Sequence, residues 1–363
     1  MQKFYPDNFE LKIGFDRIRE MLHQKCLSNM GHEWVEEMHF KDDFENISRE
    51  LGETDEFCRI VREFDHFPSD HFFDLRPALE KIRIEGRFLE VQELFDMKRS
   101  LESIRSIVLF FSKQPQEIFP LLNAKTKNVQ LFPYIYDRID SIINKFGKIR
   151  DNATPELGRI RNDILSKQAS MSRRLHAILK QAQKDGLVEE DATVSIRDGR
   201  AVIPIMAGNK RKLKGIIYDE SSTGKTSYVE PTEIVEMNNE IRELEYAERR
   251  EIIRILTSFA NDIRPYIEDL WYSYEFLGEI DFIRAKALLT IEIDAIKPDM
   301  VSYPVIDWFR AIHPLLMKTL KKENRKIVPL NIRLTEERHI LLISGPNAGG
   351  KSVCLKTVGL LQY

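Results

Sequence analysis

The sequence has 363 residues, room for two or three domains. Its 55 Lys and Arg against 58 Asp and Glu leave a formal charge of −3, so any nucleic-acid surface must be local. Hydrophobic residues at 42% and charged residues at 31% exclude a mostly disordered chain and suit a helix-rich one.

Gly (16) and Pro (15) are too sparse for an all-β chain of short strands and turns. Cys26, Cys58 and Cys354 lie far apart and form no CxxC, which argues against a disulfide scaffold or a zinc knuckle and fits a reducing, cytoplasmic setting. No apolar run approaches the ~20 residues of a membrane span, and residues 1–7 carry no signal-peptide core.

Along the chain, residues 8–115 read as short amphipathic helices. Phe15, Ile18, Met21 and Leu22 fall at helical spacing, and Gly31 is expected to stop a helix. Glu90–Ser112 forms a second strong helical stripe through Leu94, Met97, Leu101, Ile104 and Val108. Between them, Asp65, His66, Asp70, His71 and Asp74 admit a metal reading, but their spacing matches no metal motif. A polar loop anchored by Phe64, Phe67, Phe72 and Phe73 is the simpler expectation.

From Thr154 to Lys184 one long helix is predicted, with a thin apolar stripe and seven basic residues (Arg159, Arg161, Lys167, Arg173, Arg174, Lys180, Lys184) against one acid, Asp163. A β-rich island follows. Thr193–Ile196 and Ala201–Ile205 flank a turn at Arg197-Asp198-Gly199-Arg200, and Leu213–Tyr218 and Thr226–Val229 flank Gly224. Lys210, Arg211, Lys212 and Lys214 form a basic run. A second long helix, from Thr232 to about Asn261, starts strongly acidic with Glu233, Glu236, Glu240, Glu243, Glu245 and Glu248. A basic helix leaving and an acidic helix returning predict an antiparallel coiled-coil arm with a β-tip.

The expected fold is therefore mainly α with a small β tip. A helical core over 1–150 is completed by 262–300, the arm covers 151–261 with its β-rich clamp at 190–231, and 301–363 begins an α/β P-loop domain. Strand-like runs there are Lys326–Val328, Ile332–Leu334 and His339–Ser344. The last leads into Gly345-Pro346-Asn347-Ala348-Gly349-Gly350-Lys351-Ser352, a GxxxxGKS pattern, followed by a predicted helix over Val353–Leu361. Glycines let backbone N–H groups converge on phosphate oxygens. Lys351 supplies a point charge, the Ser352 hydroxyl suits Mg²⁺, and the helix N-terminus adds its dipole. ATP and Mg²⁺ are the implied cofactors.

This loop resembles the GPNxGGKS loop of the MutS ATPases. Ala311–Leu316 is similar to their RHP segment, with Ile312 in place of the Arg, and Val328–Ile332 matches the stretch between. Ile196–Pro204, Gly215–Asp219, Tyr228–Pro231 and Asn238–Glu245 resemble the clamp of the second MutS subfamily. The P-loop comes early, and the letters Phe88-Leu89-Glu90 lie in a helical region, so no mismatch-reading segment is evident.

The resemblance implies suppression of recombination by clamping branched or duplex DNA, a homodimer, and contact of Ile327 and Val328 with the adenine base. It equally implies rescue of collided ribosomes through rRNA, and an endonuclease domain (Smr) that these residues do not supply. The residues expected on phosphates are Arg197, Arg200, Lys210, Arg211, Lys212 and Lys214. A coiled-coil adaptor with a vestigial P-loop is a third reading, opposed by the intact Gly350, Lys351 and Ser352. A P-loop domain also needs a Walker B acid and more sheet, so the sequence is expected to be a fragment without turnover of its own.

Overall fold

The computed structural model describes residues 5–197, 199–346 and 350–363. It is mainly helical, with helices α1 (Phe9–Ile13), α2 (Phe15–His23), α3 (Asn29–Glu36), α4 (Phe44–Glu63), α5 (Arg76–Ile82), α6 (Val91–Ser112), α7 (Pro120–Thr126), α8 (Pro133–Ile142) and α9 (Pro155–Lys184). Strands β1 (Ser195–Arg197), β2 (Arg200–Met206), β3 (Gly215–Glu220) and β4 (Thr226–Pro231) follow. Then come α10 (Thr232–Ile263), α11 (Ile267–Glu292), β5 (Ile306–Ala311), α12 (Pro314–Lys322), β6 (Leu330–Leu334) and α13 (Lys351–Gln362). The chain divides into two compact units, one of residues 1–83, 96–136 and 265–363, the other of 84–95 and 137–264.

The first unit is organised around α11, which buries residues on every face, among them Leu270, Tyr274, Leu277, Ile280 and Ile283. Helices α3 and α4 pack on it. Two glycines make the α3–α11 contact close. A Cβ on Gly278 would lie 2.6 Å from Met30 Cβ, and one on Gly31 would lie 2.4 Å from an Asp281 carboxylate oxygen. Gly31 therefore sits inside α3 rather than ending a helix, and its role is close packing. Asp281 is fully buried and accepts hydrogen bonds from the Leu27 and Ser28 N–H groups and from the Ser28 hydroxyl, at 2.8 to 3.0 Å. Ser28 in turn caps α3 by accepting the Gly31 N–H. Burial raises the Asp281 carboxyl above its ordinary range, against those bonds and the nearby Arg284.

The acidic segment 65–74 is a loop seated by aromatics. Phe67 packs edge-on against Phe57, Phe110 and Phe111, and Phe64 packs against Phe110 and Phe119. His71 pairs with Arg99 at 2.8 Å, and no cluster of metal-ligating side chains occurs among the described residues.

In the second unit α9 and α10 pair antiparallel. Arg161 meets Glu248 at 2.7 Å, Lys167 meets Glu240, and Arg174 meets Glu233, so one number rises as the other falls. Exposed pairs of this kind contribute little stability, but they fix orientation and register. The turn between these helices is built out into a four-stranded antiparallel sheet of order β1-β2-β4-β3. Its core joins Ile203, Ile205 and Val229 to Leu175, Leu179 and Ile234 of the helices. β1 pairs only with Arg200–Val202, which leaves no β1 partner wanting the N–H that Pro204 lacks. Gly199 (φ 74°) and Gly224 (φ 66°) supply the left-handed turn conformations.

Candidate functional site

The P-loop segment lies in the first unit. Of its eight residues, Asn347, Ala348 and Gly349 fall outside the described residues. Gly350 caps α13 in the left-handed conformation (φ 83°), which a Cβ would strain. Lys351 and Ser352 are the first two residues of the helix, and the first N–H in the helical ladder is that of Cys354, bonded to the Gly350 carbonyl. The N–H groups ahead of it thus face the loop without helical acceptors. The Lys351 ammonium donates to the Gly345 carbonyl, drawing the two ends of the loop together, and Ser352 is exposed. Backbone N–H groups, one ammonium and one hydroxyl on a helix N-terminus form a donor set that fits a phosphate chain with Mg²⁺.

Around this loop the structure departs from the sequence expectation. His339–Ser344 forms no strand; Ile340 and Leu342 are more than four-fifths exposed. An apolar run becomes a strand only when neighbours take up its N–H and C=O groups, and none does so among the described residues. Lys326–Val328 is likewise not a strand; pairing begins at Leu330, where β6 joins β5. Val328 is 89% exposed and Ile327 is half-buried. β5 itself, Ile306–Ala311, carried no clear sequence signal, because Asp307 and Arg310 interrupt its apolar residues.

The segment resembling RHP caps α12: His313 Nδ1 accepts the Leu316 N–H. Burial, and then Lys356 of α13, hold the His313 imidazole below its ordinary value. The far end of α13 is anchored by Tyr363, whose ring meets Phe9, Phe15 and Phe40 and whose hydroxyl donates to Glu10. Burial and Glu10 push the Tyr363 phenol up to about 12. Sequence reading missed this seat, since its aromatics are more than 320 residues from Tyr363 in the sequence.

The predicted nucleic-acid contacts lie in the second unit, and they differ from one another. Arg211, Lys212 and Lys214 are exposed, with no side-chain hydrogen bond or ion pair among the described residues. Lys210 is half-buried and reaches Glu220 at 2.9 Å. The Arg197 guanidinium lies 4.4 Å from the centre of the Tyr228 ring and 4.0 Å from the Asp219 carboxylate. Arg200 is committed inward. It donates to Glu230 at 2.8 Å, lies over Tyr218, and is raised above its ordinary value chiefly by Glu230. Glu230 is fully buried and also accepts from Asn238 of α10. Arg200 thus joins the sheet to its supporting helix, a role the basic turn motif alone did not reveal.

A glycine-rich segment opening a helix, and an antiparallel helix pair carrying a four-stranded sheet, are the elements on which the sequence resembles the MutS ATPases. Within that class the alignments are specific. The chain is similar to "Endonuclease MutS2" of Alkaliphilus oremlandii, 33% identical over 350 residues, covering 96% of this chain and 43% of that protein. It is also similar to "Endonuclease MutS2" of Symbiobacterium thermophilum, 31% identical over 348 residues (96% and 42%). The protein of that name from Halalkalibacterium halodurans is 30% identical over 352 residues (96% and 44%). No family model matches the chain. The chain belongs to the MutS2 subfamily along nearly all of its length. It spans less than half the length of these relatives.

Proposed function

We propose that these residues form the nucleic-acid-gripping part, and the opening of the nucleotide site, of a MutS2-type DNA-binding ATPase. The α9–α10 pair acts as a coiled-coil lever and the four-stranded sheet as its clamp. The observation that carries this reading is the tip: a sheet held rigidly by the buried Arg200–Glu230 pair presents Arg211, Lys212 and Lys214 outward. Cations free of internal partners on a rigid support suit phosphates, giving affinity without reading sequence. The reading assigns residues 1–150 with 262–300 to the core, 151–261 to the lever and clamp, and 301–363 to the start of the ATPase domain.

At that domain Lys351 would hold the β- and γ-phosphates of ATP and Ser352 would ligate Mg²⁺, with Ile327 and Val328 offering apolar contact to the base. The exposed run at 339–344 is the surface expected to pair within the complete ATPase sheet. Homodimerisation belongs to the same proposal, as do recombination suppression and an endonuclease activity located outside these residues. The test is binding of a fluorescein-labelled 30-base-pair duplex by the 363-residue chain and by a variant with Arg211→Gln, Lys212→Gln and Lys214→Gln. The variant should bind at least tenfold more weakly. Equal affinity would remove the tip from the site, and preference for ribosomes over branched DNA would shift the substrate to rRNA.

A further inference from the structure

The ion pairs between α9 and α10 sort the basic residues of α9 into two sets. Arg161, Lys167 and Arg174 are spent on Glu248, Glu240 and Glu233, and Arg159 on Glu156. Arg173, Lys180 and Lys184 are exposed and have no side-chain partner among the described residues. At 100° per residue these three fall within about 40° of one another around the helix, and at 1.5 Å per residue they span about 16 Å. They form one stripe, on the side left over once the partner helix has taken its cations. Lys180 and Lys184 also complement the negative end of the α9 dipole, an effect confined to the last turn or so. Arg173, three turns from that end, has no such use.

The stripe does not stop at the helix. The loop after β2 is tied to the end of α9: the Met206 N–H bonds the Leu187 carbonyl, and the Asn209 side-chain amide bonds the Gly186 carbonyl at 3.3 Å. This sets the loop bearing Arg211 and Lys212 against the Lys184 end of the stripe. The Ala207 N–H bonds the Lys225 carbonyl, bringing the exposed Lys225 to the same loop. Acidic residues flank this surface at Asp185 and Glu189–Asp191, and Asp185 accepts from Gln181.

We infer that Arg173, Lys180 and Lys184 are a second phosphate-binding tract, continuous with the tip, along which a duplex lies lengthwise. This rests on the nucleic-acid reading proposed above. A 16 Å stripe matches about five base-pair steps of a duplex, so a duplex gripped at the tip would also run along the outer side of α9. Phosphodiester is the chemistry recognised, and B-form DNA and A-form RNA duplexes of equal length are the two probes.

The experiment measures binding of both duplexes by the 363-residue chain at several salt concentrations. It uses the parent, the tip variant above, and a stripe variant with Arg173→Gln, Lys180→Gln and Lys184→Gln. Because these side chains hold no hydrogen bond or ion pair among the described residues, the variant should keep the parent's helical circular dichroism, and Arg173→Gln, which has no part in the dipole interaction, should also keep its melting temperature. On DNA, its log affinity against log salt should flatten by about 3, near 0.9 for each lost phosphate contact, with at least tenfold weaker binding at 0.15 M salt. Arg173→Gln alone, remote from the helix end, should flatten it by about 1. If the stripe variants bind like the parent while the tip variant is weakened, this inference fails and the clamp reading stands. If the parent binds neither duplex, the clamp reading fails as well. A loss confined to RNA assigns the tract to A-form helices.

Discussion

The role of Arg200 separates two accounts of the basic tip, and its removal is the sharpest perturbation. Arg200→Ala would leave Glu230, fully buried, with the Asn238 amide and the Tyr218 hydroxyl as neutral side-chain donors and no cation. Breaking a fully buried pair costs roughly 3–5 kcal/mol. The guanidinium is 17% exposed, so water partly replaces it and the cost falls to about 2 kcal/mol. The penalty should appear locally, in β2 and β4, where Ile203, Ile205 and Val229 protect the sheet. Two kcal/mol corresponds to roughly 30-fold faster amide exchange at these residues by mass spectrometry. The double variant Arg200→Met with Glu230→Leu should restore both protection and duplex binding, because it removes the stranded charge. Unchanged exchange in Arg200→Ala with loss of duplex affinity, and no rescue in the double variant, would refute the structural role and make Arg200 a phosphate contact.

Other consequences follow from the same geometry. Gly278→Ala forces a Cβ to 2.6 Å from Met30 Cβ and should lower the thermal midpoint by roughly 5 °C, as overpacking of about 1–3 kcal/mol does in a unit of this size. Hydrogen bonds from Arg254 hold the Glu251 carboxyl below its ordinary value, against burial, with Thr154 adding to the shift. A depressed carboxyl stabilises fully above its unfolded value and loses that contribution as pH falls through the folded one. Protection of the first turn of α9, which Thr154 caps, measured relative to the intrinsic exchange rate at each pH, should therefore fall as pH drops below about 4 and be unchanged between about 5 and 8. With His339–Ser344 unpaired and exposed, the 363-residue chain should release no phosphate from ATP above the blank. Release that vanishes with Lys351→Ala would contradict this.

Much of this architecture is legible in the sequence, and for identifiable reasons. The α9–α10 pairing can be read because opposite charges lie in long blocks, and the Arg161–Glu248, Lys167–Glu240 and Arg174–Glu233 rungs realise that polarity. The four tip strands can be read because turn residues punctuate β-branched runs. What escaped depends on distant partners. Nothing local distinguishes a Gly31 that ends a helix from one that admits Asp281, 250 positions away. Arg200 and Arg211 look alike in a sequence, and only the placement of Glu230 separates them. The run at 339–344 has strand composition, but pairing is a property of neighbours rather than of composition.

The central claim, that nucleic acid sits at the sheet-capped end of the helix pair, is tested most directly by photo-crosslinking. A photoreactive side chain is placed at position 212 of the tip and, in a second protein, at the exposed position 243 on the acidic α10. A salt-sensitive crosslink to labelled duplex is expected from position 212 and none from position 243. Equal crosslinking from both positions, or none from 212 with a duplex that nonetheless binds, would contradict it.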